Sequence, residues 1–286
     1  MLHLESKPHD LGGGFIVRRV LPQILKRAVG PFVFFDHMGP LTVAPGQNTD
    51  VRPHPHIGLS TLTYLFSGRV VHRDSIGSAA VIEPGGVNWM TAGSGISHSE
   101  RAHEDDKQRP YEMHGLQLWI ALPDDQEDCE PNFQHYGGEV IPRIQNGPCN
   151  IAVIAGEAFG VKSPVAITSP LLMAEIKSSQ HYNLSFEFAS DFELGLYMVK
   201  GQTKVGDQTV NPMQMLVLDR NTGVIEVSAD SHFVILGGKP FIAPRHIWWN
   251  LVSSSLEKIE AAKTKWRNGT FPMVPGETEF IPLPER

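Results

Sequence analysis

The sequence predicts an all-β fold closed by one C-terminal helix, and three observations carry that expectation. Glycine (27) and proline (22) are plentiful among the 286 residues, which favours frequent turns over long helices. From Phe15 to Leu122 the chain breaks into short apolar runs separated by Gly, Pro, Asp and Ser, such as "TLTYLFSGRVVHRD" and "AAVIEPGG". In "HYNLSFEFA", Tyr182, Leu184, Phe186 and Phe188 alternate with polar residues, the period of a half-buried strand.

The elements follow in order. "PFVFFDHMGP", "TLTYLFSGRVVHRD", "AAVIEPGG" and "HGLQLWIALP" read as strands and turns. The stretch from Pro123 to Asn150 is polar and aperiodic and reads as a connector. A second set of strands follows it. Tyr64, Gly68 and Asp74 recur in spacing as Tyr197, Gly201 and Asp207, so one β unit is expected twice. That offset sets Glu187 and Ala189 where the first copy has His54 and His56. "SSSLEKIEAAKTKWRNG" reads as a helix, with serines to cap it, Leu256, Ile259 and Ala262 or Lys263 on helical spacing, and Gly269 to stop it. Its expected role is packing on the outside of a β domain.

Composition excludes some functions. A net charge of −7 with no basic cluster argues against direct nucleic-acid binding and against anionic membranes. No apolar run reaches the roughly 18 residues of a spanning helix, and "MLHLESKPHDLGGG" lacks the basic start and apolar core of a signal peptide. A cytoplasmic location is the expectation. Cys129 and Cys149 are too few for a disulfide framework and are expected as free thiols.

The chemistry concentrates in two short motifs. In "DVRPHPHIGLST", His54 and His56 stand two residues apart and project to one face of an extended strand. Alone the pair could be solvated edge histidines. "MTAGSGISHSE" repeats the spacing with His98 and Glu100. Side by side in a barrel, the two strands would offer three imidazole nitrogens and one carboxylate to a divalent Fe, Mn, Ni, Cu or Zn ion. An octahedral ion would keep two positions open for substrate and dioxygen, whereas zinc more often stays four-coordinate. Among the other histidines, His72 reads as a surface strand residue and His103 as solvated. His114 could orient a ligand, and Trp89 reads as core.

"RPHPHIGLSTLTYLFSGRVVHRDS", "PGGVNWMTAGSGISHSE" and "HGLQLWIALP", with the later "PRHIWWNLVSSS" and "FIPLPE", resemble the pirin family of the cupin superfamily over nearly the whole chain. The resemblance implies two tandem cupin-like β-barrels, a bicupin. The expected division is residues 1–130 as the metal-binding barrel and residues 131–286 as a barrel without metal. It also implies that His54, His56, His98 and Glu100 hold one metal ion, foremost Fe(II). A quercetin 2,3-dioxygenase-type oxidoreductase acting on a flavonol or similar enol is then expected, with Glu100 as catalytic base. The implied alternative is a metal- and redox-dependent regulator that binds a transcription factor or metabolic enzyme. Where many pirins carry Arg and Glu, this chain has Ile57 and Ser60, which predicts a less polar pocket. Phe34, Phe35, Leu59 and Trp89 are the apolar residues expected to wall it.

Overall fold

The structure, a computed structural model, describes residues 1–12, 14–220 and 222–285. It is built of short antiparallel strands with a single α-helix among the described residues, Leu256–Arg267. No described helix is long and apolar enough to cross a membrane. Two units separate by their internal packing. The first comprises residues 9–17, 36–138 and 242–286, and the second residues 1–8, 18–35 and 139–241.

The two units repeat one strand order, as the matched spacings predict. In the first, a four-stranded sheet runs Val51–His56, Ile96–Ala102, Val70–Asp74, Ala79–Ile82; in the second it runs Tyr182–Ser185, Val224–Val227, Thr203–Val205, Gln208–Val210. The larger sheets match as well. Asn132–Tyr136, Val87–Thr91, Leu59–Ser67, Tyr111–Ala121 correspond to Leu2–Glu5, Gln214–Val217, Glu193–Lys200, Ser231–Gly238. Gly68 and Gly201 occupy equivalent turns with φ of 80° and 78°, where an L side chain is strained. A Cβ on Gly68 would also lie 2.3 Å from the Glu112 carbonyl oxygen.

The interiors differ. In the second unit Leu184, Phe186, Ile225 and Val227 join a continuous apolar core with Ile151, Leu196 and Phe233. Glu187 and Ala189 follow the strand Tyr182–Ser185, outside it. The first unit has buried imidazoles on its corresponding strands, described below.

The expected division at residue 130 is corrected in two respects. The central break falls between residues 138 and 139, and residues 242–286 belong with the first unit. The reason is packing. Ile259, Ala262 and Trp266 form the buried face of the helix and share a cluster with Ile57, Leu251 and Phe271. Leu256, assigned to that face by spacing, is exposed instead. Beyond the helix, Ile281 donates its N–H to the Pro53 carbonyl at 2.8 Å and Ser97 Oγ donates to the Pro272 carbonyl at 2.5 Å. Ser255 caps the helix by accepting from Lys258 N, and Gly269 ends it at φ 66°.

The expected connector from Pro123 to Asn150 also contains strands, Asn132–Tyr136 and Arg143–Asn146. Asn132–Tyr136 pairs only with Val87–Thr91, and none of its residues is fully buried, so it shows no apolar alternation to read. Cys129 and Cys149 are free thiols.

The second unit also carries a buried charge. Burial alone would raise the Glu175 carboxyl, but His232 Nε2 and Lys177 Nζ, each 2.8 Å from Oε1, outweigh it and hold its pKa at about 2. A depressed native pKa adds stability above the ordinary value of 4.5, lost as pH falls through about 2. The contribution is on the order of 3 kcal/mol. Urea unfolding of the protein and of Glu175→Gln should therefore give a stability gap at pH 7 that closes towards about pH 2. A gap independent of pH would contradict this assignment.

Candidate metal centre

His54, His56 and His98 are the three histidines that the first unit brings together. Each has a ring nitrogen within 4.8 Å of the others'. They come from two neighbouring antiparallel strands, with His98 directly opposite His54 and Ile96 opposite His56. All three are buried, at 5%, 1% and 1% exposure. The period of two that aligns them on paper thus aligns them in space.

Their protonation follows from their partners. His54 Nδ1 lies 2.9 Å from the Arg52 carbonyl oxygen, and His56 Nδ1 lies 2.9 Å from that of Asn250. A carbonyl only accepts, so in both rings the hydrogen sits on Nδ1 and Nε2 is bare. Burial lowers all three imidazoles, His54 to about 4 and His56 and His98 well below the ordinary value. Repulsion among the histidines adds to this. They are neutral at pH 7. The bare His56 Nε2 stands 3.1 Å from His98 Nε2, so buried ring nitrogens converge on one point. Such a donor set fits a divalent cation.

Glu100 lies outside that group of three. One extra residue in Val51–His56 forms a bulge, so Glu100 faces Val51 rather than continuing the register that sets His98 opposite His54. Its carboxylate accepts from Thr63 Oγ1 at 3.4 Å and is also hydrogen-bonded by Gln117. Burial pushes the carboxyl above its ordinary value, against the opposing influence of His72, Thr63 and Gln117.

His72 is not a surface residue. It is 3% exposed, its Nδ1 lies 3.4 Å from His98 Nδ1, its Nε2 lies 3.0 Å from Asp74 Oδ2, and Phe133 stacks on it at 4.2 Å. His114 pairs with His37, at 2.8 Å between Nε2 atoms. His103 caps a short 3-10 turn. Phe34 and Phe35 belong to the second unit, and Trp89 is core, directly opposite Leu62 in the sheet.

Trp119, its ring 5.2 Å from that of His56, is the aromatic beside the site. Around it the wall is polar. Thr63 Oγ1 lies 2.8 Å from the Gln117 side-chain amide, and on neighbouring strands His135 Nδ1 meets Asn88 Oδ1 at 2.7 Å. Ile57 and Ser60 do not make the pocket less polar. Ile57 is buried in the cluster beneath the C-terminal helix, and Ser60 hydrogen-bonds Thr91 at 3.0 Å. The residues missed from sequence are thus Thr63, Asp74, Gln117, Phe133 and Asn250. Only Asp74 carried a signal, the same two-residue spacing from His72 that marks the other motifs.

Comparison with known proteins is consistent with this geometry. Residues 14–120 match the Pirin family model, and residues 173–272 match the Pirin C-terminal cupin domain. A pirin-like protein of Caulobacter vibrioides is 46% identical over 291 residues, covering 99% of each chain. A crystal structure described as quercetin 2,3-dioxygenase from Acinetobacter baumannii superposes with a TM-score of 0.92 at 34% identity, covering 100% of this chain and 95% of that one. A bacterial pirin from Escherichia coli, in complex with nickel(II), shares the fold with a TM-score of 0.66 at 17% identity, over 84% and 99% of the two chains.

Proposed function

The chain belongs to the pirin family, and from that premise we propose that its first unit is a metal-dependent oxidoreductase of the quercetin 2,3-dioxygenase type, acting on a flavonol or similar enol. The observation that carries this reading is the meeting of three buried, neutral imidazoles, each with a ring nitrogen within 4.8 Å of the others'. His54, His56 and His98 hold one divalent ion, foremost Fe(II), and Glu100 joins them as fourth donor. The likeness to a quercetin 2,3-dioxygenase structure supports the substrate class.

When bound, the ion supplies Lewis acidity and a template for the reactants. The chain's own residues do the rest. Glu100 accepts the proton of the substrate's enol hydroxyl, and Thr63 and Gln117 hold its carboxylate in place to do so. Trp119 offers a flat face beside His56, and the polar groups of Asn88 and His135 suit a hydroxylated ring system.

Aerobic incubation with quercetin is expected to bleach its visible absorbance. A chelator should stop the reaction, and returning Fe(II) should restore it. Metal-loaded protein that leaves quercetin untouched would overturn the dioxygenase reading and favour a regulatory role for the same ion.

A further inference from the structure

We propose that Asp74 and His72 are positioning residues that determine which nitrogen of His98 is free to donate to a metal. The inference rests on the metal reading of the site. It starts from an asymmetry among the three imidazoles: backbone carbonyls fix the tautomers of His54 and His56, whereas the Nδ1 partner of His98 is another histidine.

The chain of partners settles the question from its far end. Asp74 has a fully buried side chain, and its Oδ1 accepts the N–H groups of Ile76 at 3.1 Å and Ser78 at 2.9 Å. Oδ2 is left for His72 Nε2 at 3.0 Å. A carboxylate there only accepts, so a neutral His72 carries its hydrogen on Nε2 and leaves Nδ1 bare. That bare nitrogen faces His98 Nδ1 at 3.4 Å and draws the His98 hydrogen to Nδ1, in competition with the equally bare His56 Nε2, 3.1 Å from the other ring nitrogen. His98 Nε2 is then a lone-pair donor, and with His56 Nε2 3.1 Å away no hydrogen lies between the two rings, an arrangement that a shared cation would stabilise. Phe133 lies flat on His72, with 8° between the planes, and keeps the ring in the orientation that this relay needs. Two short strands are joined by it, since His98 and Asp74 are register partners. The aspartate does for His98, at one remove, what two carbonyls do for its neighbours.

Asp74→Asn tests the relay because it preserves shape and reverses polarity. The asparagine oxygen stays with the Ile76 and Ser78 amides, so its NH2 group faces His72 Nε2 and moves the His72 hydrogen to Nδ1. His98 must then carry its own hydrogen on Nε2, where it blocks donation. Long-range 15N–1H NMR of the metal-free protein should show His98 as the Nδ1–H tautomer, and as the Nε2–H tautomer in Asp74→Asn. Titration with Ni(II) should give a dissociation constant about 10- to 100-fold higher in the variant. In a His72→Phe background, Asp74→Asn should add nothing further.

An Nε2–H tautomer of His98 in the unmodified protein would overturn the proposal without any variant. So would unchanged tautomer and Ni(II) affinity in Asp74→Asn, or an undiminished effect in the His72→Phe background. Failure of the unmodified protein to take up Ni(II) would instead count against the metal reading, with the tautomer measurement still deciding the role of Asp74.

Discussion

Replacing His98 with alanine is expected to lower metal affinity by at least about 100-fold, more than is lost when a group supporting a ligand is removed, and to abolish metal-dependent turnover. His98 is the ring through which the two motifs become one site. It faces His54 across the strand pair and approaches His56 within 3.1 Å. Without it, two imidazoles from a single strand remain, and these are the pair whose meaning was ambiguous in the sequence. The strand itself should persist, because its backbone is paired on both sides, with Val51–His56 and with Val70–Asp74. Metal content after dialysis against a weak chelator, with circular dichroism as the control for folding, provides the measurement. A folded variant that keeps a full complement of metal would remove His98 from the ligand set.

Glu100→Gln is expected to reduce kcat by about 10²- to 10⁴-fold, the range for loss of a general base, with much less change in substrate binding. Glutamine keeps the length of the side chain and can still accept from the Thr63 hydroxyl, so the pocket wall should hold its shape. What it cannot do is take a proton. Metal content measured on the same sample separates the two roles assigned to this residue: a loaded but inactive variant identifies the base, and an empty one identifies the ligand. Unchanged turnover would exclude both.

How far the sequence could be read depended on whether a feature was local. "HPH" and "HSE" are two-residue patterns, and strand geometry alone converts each into a shared face, so the three histidines were legible. Glu100 obeys the same pattern, and the bulge in the neighbouring strand, which nothing in "HSE" announces, changes which residue stands opposite it. The doubled strand order was visible in the recurrence of Tyr, Gly and Asp, because both turns need a glycine at positive φ. Domain limits were less legible. The burial of Ile259, Ala262 and Trp266 against Ile57 and Leu251 is a choice of partner made in three dimensions. The polar wall was misjudged for a similar reason. Ile57 reads as apolar, but only packing reveals that it faces the helix cluster.

The carbonyl of Asn250 that orients His56 lies 194 residues downstream of the ring it holds. During synthesis the three imidazoles emerge within the first hundred residues, long before that acceptor exists. Until residue 250 has left the ribosome, His56 lacks the bond that keeps its Nε2 bare. The centre is thus among the last features of the chain to mature, and an ion that arrives early meets two fixed nitrogens and one still free to turn.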